Sequence, residues 1–206
     1  MIIAVDGPTA SGKGTIAKAL AAHFGLPHLD TGLLYRAVGR QVFLDGGNPD
    51  DPGDALAACT FPEGLLEDPA LRSEGSGGLA SRVSVHASVR EALYERQRAF
   101  ATQPGGAVLD GRDIGTVIAP KADAKLFVTA SPEVRAQRRV RELLERGMPG
   151  HYDDVLLDIR ARDERDRTRT EAPLRAAEDA VVLDTSDVGV TEAVAAAIEL
   201  VTARIR

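Results

Sequence analysis

Cysteine is almost missing from this chain, which has a single such residue, Cys59, among 206. One thiol cannot form an internal disulfide, and a lone cysteine beside four scattered histidines offers no spacing typical of a zinc site. A disulfide-stapled fold and a structural zinc domain are therefore excluded. We interpret Cys59 as an incidental small residue.

Long apolar runs are also lacking. The first run, Ile2 to Val5, is short and follows no basic region. Export signals need a longer apolar segment after basic residues, and a membrane-spanning helix needs about 20 apolar residues. We therefore expect no export signal, no membrane partner and a cytoplasmic location.

Net positive charge is absent too, since 31 acidic residues outnumber 25 lysines and arginines and give a formal net charge of −6. This balance argues against nucleic acid or an anionic membrane as the main partner, although local arginine clusters still bind phosphates. The chain has no Asn-Lys-x-Asp motif for reading guanine and no internal repeat. We expect small-molecule partners and a monomer.

The most informative segment present is a glycine-rich loop after the apolar run, with the residues Gly7, Pro8, Thr9, Ala10, Ser11, Gly12, Lys13, Gly14 and Thr15. Glycines at its turns let backbone N–H groups surround a polyphosphate. A helix predicted from Lys13 to about Phe24 directs its positive N-terminal end at the same anion, and Lys13 can reach the β and γ phosphates. We predict that all nine residues bind ATP.

The residue after Lys13 is unusual for this motif. Many such loops place a magnesium-ligating Ser or Thr there, whereas this chain has Gly14 and carries the hydroxyl at Thr15. A Gly-Lys-Gly-Thr ending resembles nucleoside monophosphate kinases more than GTPase switches. Mg²⁺ would then be held mostly by ATP oxygens and water, with help from Thr15 and from an acid elsewhere.

Apolar strand candidates alternate with helical patterns along the chain. They lie at Ile2–Val5, Ala107–Leu109, Leu126–Val128 and Val181–Leu183. This alternation predicts an α/β fold with a parallel sheet between two layers of helices. Ser131 and Pro132 mark one helix start, and Val194, Ile198, Val201 and Ile205 mark the apolar stripe of the last helix.

Two segments interrupt this pattern. Residues 45 to about 78 are rich in Gly, Pro, Asp and Glu, and they predict an insertion outside the sheet. Residues 146–150 separate two arginine-rich helices and predict the tip of a mobile flap. We expect one domain, 1–206, with a core at about 1–44, 88–145 and 170–206, an insertion at about 45–87 and a lid at about 146–169.

The segment Asp110-Gly111-Arg112-Asp113 follows a strand candidate, where parallel sheets bind ligands. Asp110 is the expected acid that holds a water of the Mg²⁺ shell, and Arg112 can grip a phosphate with two hydrogen bonds. Asp113 can accept hydrogen bonds from a base, a sugar or an arginine. The alternative interpretation is an Asx-type turn that only stabilises the strand exit.

Arginines and acids alternate from Arg160 to Arg169. Alone, such a run indicates a solvated, salt-bridged helix, on which Arg162, Arg165 and Arg169 share one face. Beside a phosphate loop it suits phosphoryl transfer, because catalysis there consists mostly of positioning and cationic stabilisation. Arginines of the preceding helix could form the other wall: Arg135, Arg138, Arg139 and Arg141. A weaker anion site is possible at Asp30-Thr31-Gly32 and Arg36, where a helix cap alone is the common explanation.

These blocks together resemble bacterial cytidylate kinase, a P-loop nucleoside monophosphate kinase family. The matching stretches are Asp6–Pro8 with Gly12–Thr15, Leu29–Gly32 with Tyr35–Arg36, Val89–Leu93 with Arg96–Arg98, Asp110–Thr116, and Arg162–Asp163 with Asp166–Arg167 and Ala172–Leu174. The resemblance implies a three-layer fold with a central five-stranded parallel sheet, and transfer of the γ phosphate of ATP to CMP or dCMP with Mg²⁺. It departs at residues 60–78, where no alternating strand pattern is visible, so we expect a reduced nucleotide-binding insertion.

The resemblance also implies roles for individual residues. Arg36, Arg90 and Arg112 would hold the CMP phosphate, and Ser81, Arg90 and Asp113 would lie near the cytosine. Arg162 and Asp166 would lie near the sugar and phosphates, and Arg169 near the transferred phosphate. Thr31 takes a place where we expect serine in many relatives. The implied catalytic set is Lys13, Asp110, Arg112, Arg162 and Arg169.

Two other functions stay open at this point. One is a P-loop kinase for UMP, AMP or another small acceptor, because only the base-reading residues separate these enzymes. The other is a nucleotide-dependent switch that phosphorylates no acceptor. Gly14 and the supply of arginines on two sides argue against a switch.

Overall fold

A computed structural model describes residues 1–205 and shows a five-stranded, fully parallel sheet. The strands are β1 (Ile2–Asp6), β2 (His28–Asp30), β3 (Ala107–Gly111), β4 (Ala124–Thr129) and β5 (Val181–Asp184). Their spatial order is β2-β3-β1-β4-β5, with Asp6 opposite Gly111 and Phe127. The predicted α/β class and five-stranded parallel sheet are confirmed, and the carboxyl ends of β1, β2 and β3 meet at one edge.

The helices connect and cover these strands. They are α1 (Lys13–Phe24), α2 (Thr31–Leu44), α3 (Pro52–Ala57), α4 (Glu74–Val83), α5 (Ala87–Ala101), α6 (Pro132–Glu145), α7 (Tyr152–Thr168) and α8 (Val190–Arg204). Three short 3₁₀ segments, Ala58–Thr60, Glu63–Glu67 and Pro69–Arg72, lie between α3 and α4, and a π-helical turn, Ile114–Ile118, follows β3. Within residues 1–205, no helix is long and apolar enough to cross a membrane.

Alternate residues of β1 pack into different layers, as expected for a central strand. Ile3 and Val5 belong to a cluster with α1 and α8, whereas Ala4 packs on the opposite face with Leu109, α5 and the π-helical turn. The sheet is therefore the middle of three layers.

A separate apolar cluster lies outside the sheet. It joins α2 and α5 to the segment between them through Leu34, Val38, Leu71, Val83 and other buried residues. Its inserted segment contains helices and 3₁₀ turns and no strand within residues 45–87. The segment lies outside the sheet, as its composition predicted.

Helix ends agree with the sequence at some positions and differ at others. The Ser131 hydroxyl accepts a hydrogen bond from the Val134 N–H at 3.3 Å, so the predicted cap of α6 is present. Asp30 precedes α2, but its side chain makes no capping hydrogen bond. Ile205 lies beyond the end of α8 and is 38% exposed, so it is not part of the buried stripe.

Candidate active site

A cleft of about 280 Å³ opens at the carboxyl ends of the strands, between the glycine-rich loop, α2, α4 and α7. The predicted site residues that line it are Thr9, Ala10, Lys13, Gly14, Thr31, Arg36, Ser81, Arg90, Asp110, Arg112, Asp113, Arg162, Asp166 and Arg169. The structure thus brings together residues from six separate parts of the chain. The other predicted loop residues, Gly7, Pro8, Ser11, Gly12 and Thr15, do not line this cleft.

Two glycines give the loop its path. A Cβ at Gly7 would lie 2.0 Å from the Val128 carbonyl oxygen, so only glycine fits between β1 and β4. Gly12 has a left-handed backbone with φ of 89° directly before α1, a conformation that glycine adopts without steric cost. The loop therefore leads directly into the N-terminus of α1, whose backbone N–H groups are suited to bind a phosphate.

Lys13 lies at the floor of the cleft. Its Nζ donates a hydrogen bond to the Pro8 carbonyl at 3.4 Å. The pKa of Lys13 is lowered to about 8, mainly by burial and also by the neighbouring Arg112 guanidinium, whereas the Asp110 and Asp30 carboxylates oppose the shift. A bound polyphosphate would favour the protonated amine.

Asp110 is buried at the end of β3 and is held by residues of β2 and α2. Its Oδ1 lies 2.7 Å from His28 Nε2, and its backbone carbonyl accepts a hydrogen bond from the Thr31 hydroxyl at 2.8 Å. A Cβ at Gly14 would lie 3.7 Å from Asp110 Oδ2, so this second oxygen faces the end of the glycine-rich loop. A hard carboxylate oxygen at this place suits a water of a Mg²⁺ shell.

No cluster of three His, Cys, Asp or Glu side chains able to hold a metal occurs in the part of the chain that the structure describes. Thr15, the second predicted metal ligand, is exposed and lies outside the cleft lining, so the geometry gives Asp110 stronger support than Thr15.

The Asp110–Asp113 segment supplies two ion pairs on one wall. Arg112 Nε donates to Asp166 Oδ2 of α7 at 2.8 Å, and Arg90 of α5 donates to Asp113 Oδ2. Both carboxylates are buried. These pairs tie β3 to α5 and α7, and they leave the remaining guanidinium N–H groups for a ligand.

Three further arginines approach the cleft from other elements. Arg36 donates to the Leu71 carbonyl at 2.9 Å, Arg162 pairs with Asp158 at 2.7 Å, and Arg169 donates to the Ala172 carbonyl at 2.8 Å. Arg162 Nε and Arg169 Nη2 are buried and find no hydrogen-bond partner among the described residues. Buried donors without partners are costly, which suits groups that bind an anion in the cleft.

The sequence pattern of the arginine run needs one correction. Arg169 lies just after the end of α7 with ψ of 140°, so it does not share a helical face with Arg162 and Arg165. Arg162 and Asp166 both lie on α7, four residues apart, and their side chains bond to Asp158 and Arg112 respectively.

Ser81 of α4 contacts α7 across the cleft. Its hydroxyl accepts a hydrogen bond from Arg165 Nε at 3.1 Å. A Cβ at Gly77, one turn earlier, would lie 2.5 Å from Arg162 Nη1, so a side chain there would displace this arginine. The insertion and the lid helix therefore meet directly beside the predicted acceptor site.

A buried ion pair between α6 and α7 is missing from the predicted site. Arg135 donates to both carboxylate oxygens of Asp163, at 3.0 and 2.5 Å, and to the Thr9 carbonyl of the glycine-rich loop at 3.2 Å. Arg135 is only 1% exposed. The sequence offered Arg135 as one of four wall arginines, and nothing in it indicated Asp163 as the partner.

A glycine-rich loop before α1, a buried acid at the next strand and arginines on three sides of one cleft define a P-loop phosphotransferase of the nucleoside monophosphate kinase class. The family model described as Cytidylate kinase matches residues 3–52 and 55–203. The chain belongs to the cytidylate kinase family.

Individual relatives agree with this assignment. A cytidylate kinase of Xanthobacter autotrophicus is 59% identical over 204 residues, covering 99% of this chain and 98% of its own. One of Azorhizobium caulinodans is 55% identical and covers 98% of each chain. A crystal structure of an uncharacterized protein from Eubacterium ventriosum covers 98% of both chains at 15% identity with a TM-score of 0.58, which shows similarity of fold alone.

Proposed function

We propose that this chain transfers the γ phosphate of ATP to CMP or dCMP and releases ADP with CDP or dCDP. Membership of the cytidylate kinase family supports the reaction. The main structural support is that one cleft is lined by Lys13, Arg90, Arg112 and Asp113. This cleft joins a phosphate-binding loop to side chains suited to an acceptor nucleotide.

The transfer is an in-line displacement. A phosphate oxygen of CMP forms a bond to the γ phosphorus, and the bond from that phosphorus to the β–γ bridging oxygen breaks, leaving ADP. The attacking phosphate is already anionic, so no general base is needed. We propose that the chain contributes position and positive charge, with Lys13 at the β and γ phosphates and Arg162 and Arg169 at the transferred group.

The acceptor nucleotide is assigned to the opposite wall of the cleft. Arg36, Arg90 and Arg112 would hold its phosphate, since guanidinium groups bind phosphate with two hydrogen bonds. Ser81, Arg90 and Asp113 would read the cytosine. Asp166, which pairs with Arg112 at 2.8 Å, would accept a hydrogen bond from the sugar.

We further propose that the enzyme requires Mg²⁺, held through a water on Asp110 with help from Thr15. When bound, the metal would supply positive charge that stabilises the charge developing during transfer. Chelation with EDTA should abolish turnover, and isothermal titration should show weaker ATP binding without the metal. Equal ATP affinity with and without Mg²⁺ would remove the ion from the site.

The division of the chain is proposed on the same grounds. The core spans about 1–44, 88–145 and 170–206, the nucleotide-binding insertion about 45–87, and the lid about 146–169. We also propose a monomer in the cytoplasm, which binds no nucleic acid. Light scattering coupled to gel filtration tests the monomer, and a dimer mass would overturn it.

The decisive experiment measures ADP formation from ATP with CMP, dCMP, UMP, AMP and GMP offered separately at equal concentration. Strong turnover with CMP and dCMP alone is expected. Turnover only with another acceptor would keep the kinase mechanism and overturn the cytosine assignment. Silence with all five would overturn the proposed function.

A further inference from the structure

Asp6, the last residue of β1, has no role in the reaction described so far, although it directly precedes Gly7. Its side chain is 4% exposed and makes two hydrogen bonds across the sheet edge. Oδ1 accepts the Ile114 N–H at 2.8 Å, and Oδ2 accepts the Gly115 N–H at 2.7 Å. Both donors open the π-helical turn, where backbone N–H groups otherwise have no partner.

This turn begins immediately after the two residues assigned to the acceptor. The Asp113 carbonyl accepts the Val117 and Ile118 N–H groups, so Asp113 is part of the turn, while its carboxylate holds Arg90. π-Helical turns are rare and concentrate at functional sites. The position of Asp113 and of the adjoining Arg112 therefore depends on where this turn is fixed.

Among the described residues, Asp6 is the side chain of β1 that holds the start of the turn by hydrogen bonds. The Asp6 backbone is set by pairing with Gly111 of β3 and Phe127 of β4, and Gly7 N donates to the Gly111 carbonyl at 3.3 Å. The glycine-rich loop is thus held by backbone contacts that do not involve the Asp6 carboxylate. The carboxylate is the part of Asp6 that acts on the acceptor side.

We propose that Asp6 is a positioning residue that aligns the Arg112-Asp113 segment with the glycine-rich loop through its two hydrogen bonds to Ile114 and Gly115. It touches neither nucleotide. The inference rests on the proposed function, since it concerns how the same cleft orders its acceptor nucleotide relative to ATP.

The charge state of Asp6 gives this role a pH signature. The pKa of Asp6 is raised to about 7, mainly by burial and to a smaller extent by Asp113, whereas the two N–H donors and Arg112 oppose the shift. Lys125 of β4, which contacts the Gly115 position, is itself bonded to the Pro120 carbonyl and Asp179. Below about pH 7 Asp6 becomes protonated and presents an O–H donor, so it no longer accepts both N–H groups.

Asp6→Asn is the matched substitution, because an amide keeps the shape and offers one acceptor and one donor. We expect the KM for CMP to rise about tenfold at pH 8, because one buried N–H loses its acceptor. The KM for ATP should change less than about twofold and kcat less than about threefold. Asp123→Asn is the control, since Asp123 accepts the Ile2 N–H at 2.7 Å at the opposite end of β1 from Asp6.

The pH profile separates positioning from a general loss of stability. As the pH falls from 8 to 6, the KM for CMP should rise more in the wild type and in Asp123→Asn than in Asp6→Asn. In Asp6→Asn this KM changes only through the ionisation of CMP itself. Dividing the wild-type KM by the Asp6→Asn KM at each pH therefore removes the contribution of CMP ionisation. Parallel profiles, or an unchanged KM for CMP in Asp6→Asn, would overturn the proposal.

A second measurement needs no substitution and covers the case in which Asp6→Asn does not fold. In the wild type, the amide proton resonances of Ile114 and Gly115 should shift together with a midpoint near pH 7, and CMP should move that midpoint lower because it stabilises the aligned turn. Amide resonances that stay fixed from pH 6 to 8 would contradict the proposal. Absence of CMP turnover in the wild type would instead refute the proposed function.

Discussion

At the scale of single residues, the cleft gathers cations that oppose one another before a nucleotide binds. Burial is the largest cause of the lowered pKa of Lys13, the Arg112 guanidinium adds to it, and the Asp110 and Asp30 carboxylates oppose it. Arg169 Nη2 is buried and has no hydrogen-bond partner among the described residues. An anion that binds beside these groups favours their charged forms, which is the basis of the following two predictions.

The first prediction concerns Lys13 and pH. The pKa of Lys13 is lowered to about 8, so the amine loses its charge as the pH rises through 8, and ATP phosphates restore it. ATP binding should take up a proton and weaken by up to about tenfold per pH unit between pH 8 and 10. Titration calorimetry in buffers of different ionisation enthalpy measures both effects.

Lys13→Arg is the control for this prediction, because arginine stays protonated throughout the range. Its ATP affinity should be weaker at pH 7.5 but nearly independent of pH. The same pH slope in both proteins would assign the effect to another group.

The second prediction concerns Arg112. Arg112→Ala should lower kcat/KM for CMP by about 2–4 kcal/mol of transition-state stabilisation and leave ATP binding little changed. Arg96→Ala removes an exposed ion pair with Glu63 and is the control. It should change neither kcat/KM for CMP nor the binding of ATP. Steady-state kinetics with each nucleotide varied in turn decide the matter, and unchanged CMP kinetics would remove Arg112 from the site.

At the scale of elements, α6 and α7 are joined by two ion pairs of very different burial. Arg135 and Asp163 lie inside the contact, at 1% and 6% side-chain exposure, whereas Glu133 and Arg160 bridge the same helices in solvent at 2.8 Å. Only the buried pair also reaches the glycine-rich loop, through the Thr9 carbonyl. α7 is thereby anchored to the glycine-rich loop.

The third prediction compares these two pairs. Asp163→Asn should lower the free energy of unfolding by about 3–5 kcal/mol, because it leaves the Arg135 cation buried without its counter-charge. Glu133→Gln removes the exposed pair and should cost much less, because solvent screens that pair. Urea denaturation of both variants measures the difference, and equal costs would show that the buried pair has no special role.

Sequence and structure agree best where function depends on neighbouring residues. The glycine-rich loop and Asp110–Asp113 each place their chemistry within a few consecutive positions, so spacing alone predicts them. The pair Arg135–Asp163 and the bonds from Asp6 to residues 114 and 115 join distant positions, and composition carries no signal for such partners. Resemblance to a family did not reveal them either, since it assigned neither contact.

In the insertion, the local sequence did not predict the secondary structure. The sequence predicted no regular element at its glycines 75, 77 and 78, yet residues 74–83 form α4. A Cβ at Gly39 of α2 would lie 2.7 Å from Leu79 Cβ, so the two helices pack closely where glycine permits it, and a Cβ at Gly77 would displace Arg162. Tertiary contact therefore overrides a weak local helix propensity here.

At the scale of the whole molecule, the cleft lies between parts that come from separate regions of the chain. The loop at 146–150 connects α6 to α7, and Arg146 is exposed there. The proposed lid would close over both nucleotides and exclude water, which would otherwise hydrolyse ATP.

The fourth prediction tests this closure. Trypsin should cleave after Arg146 at least about fivefold more slowly when a bisubstrate analogue of ATP and CMP is bound, because closure withdraws the loop from solvent. Cleavage after Lys121, an exposed residue in the turn before β4, serves as the control and should keep its rate. Mass spectrometry of timed digests gives both rates, and equal slowing at the two sites would indicate general stabilisation without lid closure.

The separate apolar cluster shared by α2, α5 and the insertion bears on how this enzyme can diverge. None of its described buried members belongs to the cluster that supports the glycine-rich loop from beneath β1. A change of volume on the acceptor side can therefore be compensated by its own neighbours, while the donor side keeps its packing unaltered. During evolution, substitutions in this cluster can change the acceptor nucleotide without changing the residues that support ATP binding.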